Sequence, residues 1–106
     1  MWNVPTAKQL SKISELYSTE KIPLRDKKIY LHFFLRDCDW YIAEFDEENG
    51  LFWGYAILNG DLQNSEWGYI SYQELKDIKI DGWLEVDREI HWKVCKASEI
   101  DKIVNV

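Results

Sequence analysis

The chain has 106 residues, enough for one domain with an ordinary hydrophobic core, and 46% of them are hydrophobic. Its net charge of −6 argues against direct nucleic-acid binding, which needs clustered lysine and arginine, and favours basic partners. The chain has two cysteines, no N-terminal signal pattern and no apolar run long enough to cross a bilayer, so the sequence predicts a cytoplasmic protein without a membrane span.

The first predicted element is an N-terminal helix. Thr6 and Gln9 stand at the two positions of a capping box, in which each side chain accepts a hydrogen bond from a free backbone amide. The apolar residues that follow at helical spacing are Leu10, Ile13, Leu16 and Tyr17. This stripe predicts a helix that runs to about Tyr17, before Pro23 excludes further helix.

Residues 29–58 contain three aromatic and β-branched runs separated by short polar turns. The second turn ends with Asn49 and Gly50, a pair that adopts positive φ readily and favours a hairpin. Connections this short force neighbouring strands to run antiparallel. The sequence therefore predicts a three-stranded meander over this stretch.

A fourth strand and a second helix are predicted next. Residues 67–70 form a short apolar run after a polar loop. Ser71 and Glu74 have the spacing of a second capping box, which opens a helix that closes near Ile80.

The last quarter of the chain predicts one more strand and a short helix. Residues 83–94 alternate between apolar and polar side chains, the pattern of a strand with one wet face. Residues 98–103 predict a short C-terminal helix. The expected fold is thus a single α+β domain over residues 1–106, an antiparallel meander sheet of about five strands packed with N-terminal, middle and C-terminal helices.

Several short motifs are distinctive. They occupy residues 39–44, 52–56, 66–71, 85–90 and 96–100, and the most specific is Glu66-Trp67-Gly68-Tyr69 before a capped helix. This set resembles the uncharacterised bacterial family known as domain of unknown function 2958, whose members often lie on plasmids, phages and other mobile elements. The resemblance covers nearly the whole chain and implies a bacterial or mobile-element setting and one compact domain. It implies no activity, cofactor or catalytic residue.

Two pairs of nitrogen and sulfur donors raise the question of a zinc site: His32 with Cys38, and His91 with Cys95. Positions 91 and 95 on one strand lie about 13 Å apart, too far to hold one ion, and neither pair has the close spacing of a metal knuckle. No nucleophile elbow, phosphate loop or zinc-protease motif is present. The sequence therefore predicts no metal, no cofactor and no catalytic residue, and favours a non-enzymatic protein without excluding an enzyme.

Exposed aromatic residues rimmed by acids are typical of protein-binding hot spots. The polar loop before Trp67 fits this description, and the acidic wet face of the predicted fifth strand is a further candidate surface. The predicted partner-binding residues are Asp61, Asn64, Glu66, Trp67 and Tyr69 in the first group, and Glu85, Asp87 and Glu89 in the second. The mobile-element setting suggests, by analogy, a host-defence or DNA-processing protein as the partner. DNA mimicry is disfavoured by the modest excess of 19 acids over 13 bases.

Two other functions remain open. One is a small enzyme or ligand binder that uses a cleft between sheet and helices, lined by tryptophan, tyrosine and Arg88. A cavity at which Arg88, a carboxylate and His91 converge would favour it. The other is a homodimer, instead of a monomer, joined through a sheet edge or exposed tryptophans.

Overall fold

The structure, a computed structural model, describes residues 1–106 and is a mixed α+β fold with mostly strands. The helices and strands are, in chain order, α1 (Ala7–Ser11), β1 (Ser14–Glu15), β2 (Lys28–Ile29), β3 (Leu31–Leu35), β4 (Cys38–Asp46), β5 (Leu51–Ile57), β6 (Glu66–Ser71), α2 (Tyr72–Asp77), β7 (Lys79–Ile80), β8 (Leu84–Glu85), β9 (Asp87–Arg88) and β10 (Cys95–Lys96). Two 3₁₀ turns lie at Leu24–Asp26 and Ala97–Glu99.

One sheet organises the fold, with the strand order β6-β5-β4-β3-β9. The three runs predicted within residues 29–58 are β3, β4 and β5, and each is antiparallel to its neighbour, which confirms the meander. The predicted fourth strand is β6, which pairs antiparallel with β5. A two-residue parallel strand, β1, joins the sheet beside residues 44 and 45 of β4.

A β-bulge interrupts the pairing of β4 with β5. Ile42 lies opposite Gly54 and Glu44 lies opposite Trp53, so Ala43 is the extra residue. Such a bulge re-aims the side chains around it. Because of this bulge, the side chains of Ala43 and Glu44 both lie on the same side of the sheet as Trp53. The Glu44 carboxylate therefore lies under the loop that follows β1.

Each face of the sheet carries its own hydrophobic core. The larger core contains Ile13, Leu31, Phe33, Leu35, Trp40, Ile42, Phe45, Phe52, Ile70, Tyr72, Leu75 and Val86. The smaller core contains Ile29, Tyr41, Ala43, Tyr55, Ile57, Ala97 and Ile103. Because both faces are packed, the main chain of the sheet can be reached from outside only at its two edges.

The N-terminal helix is shorter than predicted. The capping box at Thr6 is present, but the helix ends at Ser11. The next residues pair with β4 as β1, and the backbone N–H of Tyr17 donates to the Glu44 carboxylate at 2.8 Å. Tyr17 has a φ of 69°, which no helix accommodates. The prediction of a helix to Tyr17 was wrong because these contacts with β4 replace the helical hydrogen bonds.

The predictions for residues 72–103 also need correction. The middle helix α2 begins at its predicted cap, Ser71, but ends at Asp77. The predicted strand 83–94 is broken into β8 and β9. Val86 is fully buried as expected, but Ile90 and Val94 are more than half exposed because the chain leaves the sheet after β9. The predicted C-terminal helix is only the 3₁₀ turn Ala97–Glu99.

None of the helices is both long enough and apolar enough to cross a membrane.

Candidate functional site

Strand β6 forms one edge of the sheet, and its outer main chain is free. Beyond its pairing with β5, no hydrogen bond engages the backbone of residues 66–70. The strand contains no proline, lysine or bulge, which are devices that protect edge strands from pairing with another chain. We call residues 66–70 the open edge.

A cavity of about 440 Å³ adjoins the open edge on the side of the smaller core. We call it the aromatic cavity, and it is lined by Tyr17, Glu20, Ile22, Pro23, Leu24, Lys27, Glu44, Trp53 and Tyr69. The hydroxyls of Tyr17 and Tyr69 share a hydrogen bond of 2.9 Å, which ties the loop after β1 to β6. That bond raises the pKa of Tyr69, which is otherwise exposed. The cavity therefore ends at the open edge, with Tyr69 as its outer wall.

The floor of the aromatic cavity is a buried polar relay. Lys27 Nζ donates to the Thr19 backbone carbonyl and, at 2.9 Å, to Thr19 Oγ1. The Thr19 hydroxyl in turn donates to the Glu44 carboxylate. All three residues are buried, and the Lys27 ammonium lies 5.3 Å from the centre of the Trp53 ring. One positive and one negative charge are thus balanced through a hydroxyl, and the floor is satisfied without a ligand.

A second cavity, of about 320 Å³, adjoins the open edge on the opposite side of the sheet. We call it the acidic groove, and it is lined by Ala56, Leu58, Asn59, Asp61, Asn64 and Glu66. Asn64 donates to Asp61 from its backbone N–H at 3.3 Å and from Nδ2 at 2.8 Å. These hydrogen bonds hold the pKa of Asp61 below its usual range. The groove holds two carboxylates and no basic side chain.

Trp67 is less exposed than the sequence suggested. Its ring stacks on Trp53, with centroids 5.0 Å apart, and its Nε1 donates to the Asn105 carbonyl at 2.8 Å. Tyr69, two residues on, is 57% exposed. Most of the accessible aromatic surface of the open edge therefore belongs to Tyr69.

The other predicted group lies at the opposite edge of the sheet, at residues 85–89, which we call the closed edge. Each of its carboxylates has a partner within the chain. Glu85 pairs with the Met1 amino group, which lowers the Glu85 pKa. Asp87 accepts from Asn3 Nδ2 at 2.8 Å. The two predicted groups are four strands apart, roughly 19 Å, and do not form one surface.

The His32 side chain links the closed edge to strand β4. Its Nδ1 lies 2.7 Å from the Glu89 carboxylate, and its Nε2 lies 2.7 Å from the Asp39 carboxylate. Lys102 Nζ also donates to Asp39, at 3.1 Å. Burial raises the pKa of Asp39, but the hydrogen bonds and charges of His32 and Lys102 outweigh it and hold that pKa below 3.8. This ionic cluster ties residue 89 to the sheet.

The cleft expected around Arg88 and His91 is not observed. Arg88 Nε donates to the Asn3 carbonyl at 2.7 Å, at the closed edge, and His91 is exposed on the loop beyond it. Neither residue lines the aromatic cavity. No group of three histidine, cysteine, aspartate or glutamate side chains in the chain is arranged so that it could hold a metal ion.

Sequence reasoning missed the relay of Thr19, Lys27 and Glu44. Lys27 stands in a run of four charged residues, 25–28, which is typical of exposed chain, yet it is only 4% exposed. Glu44 did carry a signal, because a carboxylate in the middle of an aromatic strand is unusual unless it is paired. Its partner could not be named, since Thr19 lies 25 residues away.

No family model, no curated protein and no solved structure matches this chain. The resemblance to domain of unknown function 2958 therefore remains an expectation from the motifs.

Proposed function

We propose that this protein is a non-enzymatic protein-interaction module that binds an extended segment of its partner as an added strand on the open edge. The observation that carries the proposal is the free main chain of residues 66–70. In strand addition, main-chain hydrogen bonds supply affinity, and cavities for alternate side chains supply specificity. The open edge has such a cavity on each side, the aromatic cavity and the acidic groove.

Each residue of the first predicted group would have a role in this binding. Tyr69 would contact the partner's side chains on the aromatic side, and Asp61, Asn64 and Glu66 would contact those on the acidic side. Trp67 would support Tyr69 through its stack on Trp53. The second group, at the closed edge, would have no direct part in this binding.

The setting of the proposal comes from the motifs. A cytoplasmic protein of mobile-element origin would meet host-defence or DNA-processing proteins, and one of these is the proposed partner by analogy. Such proteins carry basic surfaces that contact nucleic acid, which suits a chain with a net charge of −6.

The test is amide hydrogen exchange, measured by NMR on the free chain and on its complex with a protein captured from a bacterial lysate. We expect the outward-facing amides of residues 66–70 to exchange fast in the free chain and to be protected in the complex. Tyr69→Ala should weaken the complex about tenfold or more. Trp83→Ala, which removes an exposed indole far from the open edge, is the matched control and should leave binding unchanged. Protection confined to residues 85–89 would overturn the proposal.

A second candidate function is small-ligand binding in the aromatic cavity. Its volume of about 440 Å³ lies within the usual range for ligand pockets, and its floor contains buried charges. A small ligand would shift the ring resonances of Trp53 and Tyr69 without slowing amide exchange at residues 66–70. That result would support the second function over the first.

Self-association is the remaining alternative, because the partner strand could come from a second copy of the chain. Light scattering at two concentrations separates a monomer from a homodimer. A mass that doubles with concentration, together with protection of residues 66–70, would identify the second copy as the partner.

A further inference from the structure

We infer that the segment recognised at the open edge alternates large apolar residues with lysine or arginine. This inference rests on the strand addition proposed above and names the chemistry of the partner. It follows from the different character of the two cavities that adjoin the two faces of β6.

The side chains of β6 point alternately to the two faces of the sheet. Trp67 and Tyr69 lie opposite Tyr55 and Trp53 of β5, on the side of the smaller core. Glu66 and Ile70 point to the other side, where Ile70 belongs to the larger core. An added strand continues this alternation, so every second residue of the partner faces the aromatic side and the residues between face the acidic side.

On the aromatic side, the partner meets a largely apolar lining. Six of the nine residues of the aromatic cavity are aromatic, aliphatic or proline, and the charges of Lys27 and Glu44 are joined through Thr19. The remaining residue, Glu20, is exposed to solvent. A large apolar side chain can enter here without leaving a buried polar group unpaired, because the hydrogen bonds of the relay are already satisfied within the chain.

On the acidic side, the partner meets uncompensated negative charge. Asp61 and Glu66 are both exposed, and neither forms an ion pair within the chain. Gly68, which lies on the same face of β6 as Glu66, leaves open space there, because no atom lies within 4 Å of the place where its Cβ would be. A long basic side chain fits this gap and brings its charge toward the two carboxylates.

The net charge decides between a basic partner and a second copy of the chain. Each copy carries a charge of −6, so pairing of two open edges would bring like charges together. A lysine- or arginine-bearing strand would instead be attracted over the whole approach, more strongly at low ionic strength.

The experiment uses three capped heptapeptides. The first has lysine at every odd position with valine, phenylalanine and valine between; the second has the same residues in two blocks; the third has glutamate in place of lysine. Dissociation constants come from NMR titration, and amide exchange at residues 66–70 is followed in each complex. We expect the alternating basic peptide to bind and to protect these amides, the block peptide to bind at least about tenfold more weakly, and the glutamate peptide not to bind.

Charge-neutral variants of the chain locate the basic residues of the peptide. The double variant Asp61→Asn, Glu66→Gln should weaken the alternating basic peptide about fivefold and reduce its salt dependence. Glu47→Gln, Glu48→Gln makes the same charge change in the β4–β5 turn, at the far end of β5, and should leave the affinity within about twofold.

The outcomes separate this inference from the proposed function. If the glutamate and block peptides bind and protect residues 66–70 as well as the alternating basic peptide does, the inference is wrong and strand addition stands. If the alternating basic peptide binds without protecting these amides, strand addition itself is wrong. If no peptide binds, or if both double variants weaken binding equally, the inference is overturned.

Discussion

The two edges of the sheet are finished in opposite ways. At the closed edge, the N-terminal residues lie along residues 85–88, where Trp2 donates its backbone N–H to Val86 and Asn3 contacts Asp87. His32 holds the next residue, Glu89. At the open edge, five residues of strand carry no such cover. A strand-binding module requires main chain that is accessible at one edge of the sheet, while the other edge is covered by several contacts.

Acidic residues alone do not distinguish the candidate site at the open edge from the closed edge. The carboxylates of the closed edge stabilise the fold, because each has a hydrogen-bond or ionic partner. Those of the acidic groove have no ionic partner within the chain. The sequence presents the two sets alike, and only the contacts separate them.

The largest expected effect contrasts two glycines on neighbouring strands. A Cβ at Gly54 would lie well under 3.0 Å from the Tyr41 carbonyl oxygen, whereas one at Gly68 would meet nothing within 4 Å. Gly54→Ala should therefore cost about 3 kcal/mol or more in the free energy of unfolding. Gly68→Ala should be neutral or stabilise by about 0.5 kcal/mol. Urea unfolding of both variants measures this, and equal losses would mean that the open edge is packed after all.

The second prediction breaks the closed edge. His32→Ala removes the group that links Asp39 to Glu89 and the ring that stacks on Tyr41, with centroids 4.4 Å apart. Loss of one partner from a buried ionic cluster should cost about 3 kcal/mol, measured by urea unfolding. The matched control is His91→Ala at the exposed histidine, which should change stability by less than about 0.5 kcal/mol. A similar loss in the two variants would contradict the role given to His32.

The third prediction concerns acid. The pKa of Asp39 is lower in the folded chain than its ordinary 3.8, so its ionised form stabilises the fold above that pH. This contribution is lost as the pH falls below 3.8 through the lowered pKa of the folded state. The free energy of unfolding should decrease over this range more steeply in the parent chain than in Asp39→Asn. Parallel pH profiles of the two proteins would show that Asp39 is not held by His32 and Lys102.

The smallest effect is expected at the open edge. Tyr17→Phe removes the hydroxyl that bonds Tyr69, so the pKa of Tyr69 should fall back toward 10.0. NMR titration of the Tyr69 ring measures this change. The midpoint of unfolding should stay unaltered within error, because both rings are exposed. An unchanged Tyr69 pKa would mean that the two hydroxyls do not bond in solution.

The parts of the fold that local chemistry determines were predictable from the sequence. The meander followed from apolar runs and from turns such as Asn49-Gly50, where Gly50 has a φ of 61°. Both predicted caps are present: Thr6 accepts from the Gln9 backbone at 3.1 Å, and Ser71 accepts from the Glu74 backbone at 3.1 Å. Each of these features depends on residues within a few positions of one another.

The features that depend on distant contacts were not predictable. The stripe from Leu10 to Tyr17 has helical spacing, but β4 competes for the same backbone and ends the helix at Ser11. Strand order is likewise absent from the residue pattern, so β6 could not be recognised as an edge. For the candidate site, the sequence therefore indicated Tyr69 and the acids of the preceding loop. It indicated neither the free main chain of the open edge nor the relay beneath the aromatic cavity.

The bulge at Ala43 has a consequence for how this chain could diverge. Because Ala43 is the extra residue of the pair, deleting it would leave Glu44 opposite Trp53 and keep every other residue of β4 on its present side. Gly54, which lies opposite Ile42 beside the bulge, has no room for a side chain because its Cβ would collide with the Tyr41 carbonyl oxygen. Related chains could therefore lose Ala43 without changing the register of β4, but they should keep glycine at position 54.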